Sequence, residues 1–292
     1  MALLDRSSED GTTAPCGRCR MMNTMSTRAL EQQEFDVIVR PIGTDLRVEA
    51  SPRWVRTMFH NVVVADSKSM RLVFEARHLP VYYFPRADVR MDLLEETERT
   101  MHSPITGTAR FYTVRVGERS AEEAAWIQTQ PAPGAEALAD LVAFRWDRMD
   151  AWFEEDDEVF VHPRDPYHRV DVLNSSRHIR VVSGGEVVAE TRRPRLVFET
   201  GLPTRYYIPK MDVRMDLLRP TDTQTACPYK GTASYWSLVR DGEELVHDVA
   251  WTYARPIAEM PKIEDLVCFF NERVDEIWVD GELAPRPKTP WS

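Results

Sequence analysis

Apolar residues along this chain fall in short runs broken by Gly-Gly, Asp-Gly and Pro, the pattern of antiparallel strands joined by tight turns. HIRVV and EVVAET flank Gly184-Gly185, a pair suited to the positive φ of a two-residue hairpin. ASYWSLVR and EELVHDVAW flank Asp241-Gly242, and EIWV precedes Asp280-Gly281. RYYIP reads as a short aromatic strand closed by Pro209. Only IEDLVCFFNERV has helical spacing, with Ile263, Leu266, Val267 and Phe270 on one face, and a helix is predicted there. The pattern implies a mainly β fold of antiparallel strands with about one helix per unit.

The unit occurs twice. Sliding the sequence against itself by about 124 residues superposes DVRMDLL (Asp88 to Leu94) on the same seven letters at Asp212 to Leu218. RLVFE recurs at Arg71 and Arg195, the Tyr82-Tyr83 pair at Tyr206-Tyr207, and Pro85 at Pro209. One further residue of shift pairs Trp126 with Trp251, LVAF with LVCF, and Asp150 with Asp275. A repeat this long is a whole domain. The chain therefore divides into a polar leader (1–33), a diverged first repeat (34–158), a join (159–174), a second repeat (175–285) and a tail (286–292). The two repeats are expected to pack on each other as a pseudo-two-fold pair.

The chain has 292 residues and a formal charge of -10, with Arg interleaved among acids. A phosphate-binding face needs clustered Lys and Arg, so no nucleic-acid partner is expected. No apolar run approaches the roughly 20 residues that span a bilayer, and MALLDRSSED places acids where a signal peptide is basic. A soluble, cytoplasmic protein with no membrane partner is the expectation. Cys16 and Cys19 form a CxxC in the leader with no second pair to complete four zinc ligands, and read as incidental.

The motifs SSRHIRV, RRPRLVFETGLPTRYYIP, DVRMDLL, CPYKGTASYW, DVAW and FFNERVD, in that order, resemble the domain-of-unknown-function family numbered 427, also filed as a nucleotidyltransferase-like domain. The likeness covers both repeats, the first as a diverged copy. It implies a β-tent fold, similar to methionine sulfoxide reductase B and the cereblon ligand-binding domain, with two antiparallel sheets meeting at an angle. Many β-tent proteins carry zinc on two CxxC pairs. Neither repeat has such pairs, so no metal or other cofactor is expected. Nucleotidyl transfer is disfavoured, because the chain lacks a Gly-rich phosphate loop and a Walker motif. Asp212 and Asp216, the available carboxylates, recur as Asp88 and Asp92 and suit a structural role better.

Candidate chemistry lies where the copies differ. CPYKGTASYW is answered upstream by SPITGTARFY, which keeps Pro, Gly, Thr and Ala and loses the thiol of Cys227, the ring of Tyr229 and the amine of Lys230. Residues that a fold needs persist in both copies, whereas residues of a single site need persist in one. Cys227 as nucleophile with Lys230 beside it is one reading; a buried thiol and a solvated loop charge is the other. Arg205, whose counterpart is Val81, joins Arg195, Tyr207 and Trp236 as ligand-binding candidates for stacking and anion contacts. Tyr206 and Tyr207 are expected on opposite strand faces, and Arg195 with Glu199, repeated as Arg71 with Glu75, reads better as a structural ion pair. His162, Arg164, Tyr167 and His168 of the join could close over a site between the repeats, although a Pro-punctuated segment of this kind is more often an ordered linker wrapping the domain surface.

The expected function is capture of a small polar or anionic molecule by the second repeat, with Cys/Lys chemistry left open. A scaffold that binds only other proteins is the alternative. The partners implied are a small-molecule ligand and, left open, a second copy in a homodimer.

Overall fold

The computed structural model describes residues 46–76, 78–289 and 292; the leader and its CxxC lie outside the described residues. In chain order the first half contributes β1 (Leu46–Ala50), β2 (Val55–Phe59), β3 (Val62–Ser67), β4 (Arg71–Glu75), β5 (Val81–Pro85), β6 (Leu94–Ser103), β7 (Gly107–Val116), β8 (Arg119–Pro131), β9 (Leu141–Phe144), β10 (Ala151–Glu154) and β11 (Asp157–Glu158). The second half repeats this series as β12 (Val170–Asn174), β13 (Ile179–Ser183), β14 (Glu186–Thr191), β15 (Arg195–Glu199), β16 (Arg205–Pro209), β17 (Leu218–Cys227), β18 (Gly231–Arg240), β19 (Glu243–Thr252), β20 (Leu266–Phe269), β21 (Glu276–Val279) and β22 (Glu282–Leu283).

Each half has one seven-stranded and one four-stranded antiparallel sheet. The large sheets run β1-β4-β5-β9-β8-β7-β6 and β12-β15-β16-β20-β19-β18-β17, and the small ones β11-β10-β2-β3 and β22-β21-β13-β14. The identity of the two orders makes the sequence repeat a topological one. The predicted hairpins form: β13 turns into β14 through Gly184-Gly185, β18 into β19 through Asp241-Gly242, and β21 into β22 through Asp280-Gly281, all six residues at positive φ.

The predicted helix does not form. Leu266–Phe269 is strand β20, paired with both β16 and β19, and Pro261–Ile263 is a single 3₁₀ turn. Among the described residues the helical elements are all three-residue 3₁₀ turns. A short apolar run in a strand buried on both faces has no polar alternation, so its spacing imitates a helix. Its core residues Val267, Cys268 and Phe269 are indeed all buried.

Two apolar clusters form in each half, on opposite faces of the large sheet. In the second half, Ile208, Val249, Val267 and Phe269 face the small sheet and its Ile277, while Val197, Tyr207, Trp251, Tyr253 and Cys268 face the other way. Strand alternation splits Tyr206 from Tyr207 between these clusters. DVRMDLL serves the fold in both copies: Val89 and Val213 bridge to Ala65 and Ala189. Asp88 accepts from Ser67 at 2.6 Å and Asp212 from Thr191 at 2.7 Å.

The join stitches the halves. Tyr167 donates to Glu49 and packs edge-on against Phe74 of β4, while Arg164 pairs with Glu259 of the second half at 3.1 Å. No helix of the described residues is long and apolar enough to cross a membrane.

Candidate functional site

The segment between β17 and β18 turns at Cys227–Gly231, with the Lys230 amide donating to the Cys227 carbonyl at 3.3 Å and the Ile257 amide to the Lys230 carbonyl at 3.1 Å. Gly231 sits at φ +103°, and a Cβ there would lie 3.2 Å from the Arg255 carbonyl oxygen. Its counterpart Gly107, at φ +93°, leaves only 2.1 Å between such a Cβ and the Gln130 oxygen. Close backbone approach at a left-handed φ explains why the glycine persists in both copies.

This turn overhangs a cavity of about 320 Å³ in the second half. Five aromatic rings line it: Tyr207, Tyr235, Trp251, Tyr253 and Phe270. Trp251 and Phe270 lie 4.4 Å apart, Tyr235 stacks on Phe270 at 6.3 Å, and the Trp251 indole N–H donates to the Tyr207 hydroxyl at 3.1 Å. Burial pushes the Tyr207 and Tyr253 hydroxyls well above the ordinary phenol range, so both stay neutral.

Two buried ion pairs meet the rings. Lys230, 8 % exposed, pairs through its ammonium with one oxygen of Glu199, and His168 Nε2 lies 3.0 Å from the other. An ammonium has three N–H donors, and among the described residues this one hydrogen-bonds to Glu199. The second pair is Arg205 and Glu272, joined by both terminal guanidinium nitrogens at 2.7 Å each. Arg205 lies 5.6 Å from the centre of the Trp251 ring and 5.9 Å from that of Phe270. Desolvation works to raise the Glu272 carboxyl, but the Arg205 hydrogen bonds, with Thr289 donating at 2.6 Å, hold it below the usual carboxylate range.

The join and the tail close the edges. Tyr229 stacks on the His168 ring at 4.4 Å and accepts the Asp165 amide at 2.8 Å, so it anchors the join. The His162 amide donates to the Phe160 carbonyl at 2.9 Å across Val161, which holds φ +73°. That three-residue turn is strained for a β-branched residue, and it puts Val161 and His162 in the cavity wall. His162 Nδ1 is 2.8 Å from the Pro163 carbonyl, which only accepts, so Nδ1 is the donor. In the tail, Arg286 donates to the carbonyls of Glu272, Val274 and Asp275, fastening the strand of chain that carries Thr289.

Of the residues singled out from sequence, Cys227, Lys230, Arg205 and Tyr207 line the cavity together. Tyr229, Trp236 and Arg195 are not among its lining residues. Trp236 alternates to the opposite face of β18 and packs on the other cluster, so its neighbour Tyr235 occupies the wall instead. Arg195 is half-buried on β15, and Glu199 takes Lys230 and His168 as partners. Lys230 is not the solvated loop charge of the alternative reading. Cys227 is partly exposed, and no hydrogen bond ties its thiol to a base among the described residues. Cys268 is fully buried, which pushes its thiol up to about 12.

Sequence reasoning passed over Tyr235, Tyr253, Phe270 and Glu272. The asymmetry that marks Cys227 marks three of these too, since Tyr235, Tyr253 and Phe270 are answered by Phe111, Gln128 and Arg145, whereas Asp147 keeps the carboxylate of Glu272. Tyr253 and Phe270 stand beside matched positions, Trp251 against Trp126 and LVCF against LVAF, but belong to no matching run themselves.

The carboxylates of a nucleotidyl-transfer reading are engaged elsewhere: Arg193 holds Asp212 at 2.9 Å, and Arg214 holds Asp216 at 2.6 Å. No group of three or more His, Cys, Asp or Glu among the described residues is placed to hold a metal ion. No curated protein matches the chain. The family model described as Domain of unknown function (DUF427) matches residues 47–155 and again 171–280, the two halves of the repeated topology. The chain thus belongs to the DUF427 family and carries two of its domains in tandem.

Proposed function

We propose that the second domain is a binding module for a small, polar, ring-shaped molecule. The observation that carries this reading is Lys230, a buried ammonium at the wall of an aromatic cavity of about 320 Å³ with N–H donors beyond the one that Glu199 takes. A cavity of this size, mostly apolar with a few convergent polar groups, has the character of a small-molecule site. Rings offer their faces to a planar ligand, and Lys230 offers a donor to a carbonyl or similar acceptor at its edge.

The charges around the cavity cancel, Lys230 against Glu199 and Arg205 against Glu272. That balance favours the polar over the anionic form of the ligand, since an anion drawing Lys230 away would strand the buried Glu199 carboxylate. Binding is favoured over Schiff-base catalysis because an ammonium committed to an ion pair has no lone pair for attack.

The test is a thermal-shift screen of a metabolite library against the full chain and against the double variant Lys230→Met/Glu199→Gln. That variant removes both charges at near-constant volume. A compound that raises Tm of the native chain and not of the double variant is the expected result. A library without hits, or hits indifferent to the double substitution, would overturn the reading and favour a scaffold.

A further inference from the structure

We propose that the first domain carries a second site of different chemistry, an aromatic-walled cavity that takes a single uncharged ring. The cavity measures about 180 Å³ and is lined by Val81, Tyr82, Trp126, Trp146 and Trp152, with Val161 of the join. It is not a copy of the cavity in the second domain, although it uses corresponding places in the fold. Val81 opposes Val73 in register as Arg205 opposes Val197, and Trp126 opposes Ala143 as Trp251 opposes Cys268. Substituting Val81 for Arg205 puts an apolar side chain in place of that buried cation, and Thr106 stands where the second domain has Lys230; the cation in this wall, Arg145, is partly exposed.

The ligand class follows from what the wall has left to offer. Trp146 and Trp152 stack at 4.7 Å with planes 5° apart, and the Trp152 indole N–H donates to the Trp146 carbonyl at 3.3 Å. The Trp126 indole donates to Tyr83 at 3.0 Å, and the Tyr82 hydroxyl donates to Glu154, which Arg53 holds at 2.8 Å. Three of the four ring N–H and O–H groups are thus spent inside the protein. Beside Arg145, which pairs with Asp147 at 3.4 Å, and His162, whose Nδ1 meets the Pro163 carbonyl at 2.8 Å, what remains is chiefly π faces and the aliphatic surface of Leu79, Pro80, Val81 and Val161. A polar ligand would lose hydration there with little to replace it, whereas a ring loses nothing. An apolar cavity of about 150 Å³ accommodates benzene, so this volume fits one ring and not two.

Toluene, phenol and benzoate, titrated into the full chain, separate the outcomes. Tryptophan fluorescence should change saturably with toluene and phenol and at least ten-fold more weakly with benzoate, because Trp146 and Trp152 form the wall. The variant Val81→Phe fills the cavity and should abolish saturation while leaving Tm within a few degrees of the native chain. The Lys230→Met/Glu199→Gln variant should titrate as the native chain does, which keeps this site distinct from that of the second domain. Absence of saturation with either neutral ring, equal response to benzoate, or saturation undiminished by Val81→Phe would each overturn the proposal.

Discussion

Arg205 donates both terminal guanidinium nitrogens to Glu272 with the two side chains only 6 % and 0 % exposed, so the pair is a fork closed inside the protein. Thr289 adds a third hydrogen bond from the tail, at 2.6 Å on the oxygen that also faces Arg205 Nη2. Breaking one side of a buried pair costs far more than removing both, because the surviving charge has neither water nor partner.

Arg205→Met should therefore lower the unfolding free energy by about 3–5 kcal/mol, and Arg205→Met/Glu272→Gln by much less. Urea denaturation of the two variants and the native chain measures the difference. Equal losses would mean that the charges are not coupled.

Glu272 also sets an acid limit. Its carboxyl is held below the range of an unfolded Glu, so its pair contributes stability above the unfolded value, about 4.3. That contribution is lost as pH falls through the lower, folded value. Asp212, lowered by Arg193 and Thr191, acts in the same sense on the partly exposed face of the same half. Stability measured between pH 6 and pH 3 should fall less steeply in Glu272→Gln than in the native chain; parallel curves would contradict the assignment.

The two described cysteines should separate cleanly under alkylation. In a Cys16→Ser/Cys19→Ser background at pH 8, iodoacetamide should modify Cys227 in the folded protein and reach Cys268 only on unfolding. Cys268 is 0 % exposed and its thiol is pushed up to about 12, which removes both access and thiolate. Peptide mapping by mass spectrometry reads the two sites. Comparable rates in the folded state would place Cys268 at the surface.

The paired glycines give a prediction for the fold. Gly107→Ala and Gly231→Ala both force an alanine to positive φ, but the new Cβ at 107 would lie 2.1 Å from the Gln130 carbonyl oxygen, against 3.2 Å from the Arg255 oxygen at 231. Gly107→Ala should cost more than Gly231→Ala, which should cost about 1–2 kcal/mol. Thermal unfolding of each variant tests the order, and the reverse order would contradict the geometry.

Local chemistry made much of this molecule legible without coordinates. Turn pairs such as Gly184-Gly185 and Asp280-Gly281 specify hairpins through φ alone, and DVRMDLL reports the repeat because the same local bonds form twice. The copies' differences at Cys227, Lys230 and Arg205 pointed to one wall of a cavity, since a residue that the fold can spare stands out by comparison. Burial, register and partner choice are long-range, and these only the tertiary structure decided. It turned IEDLVCFFNERV into strand β20, because a strand covered on both faces loses the polar alternation that would reveal it. It exchanged Trp236 for Tyr235, because the face of β18 that meets the cavity depends on pairing with β17 and β19. It moved Glu199 from Arg195 to Lys230 and His168, and matched Arg205 with Glu272, 67 residues away. Such pairings are written in no spacing, because two charges find each other only after the sheets that carry them have packed.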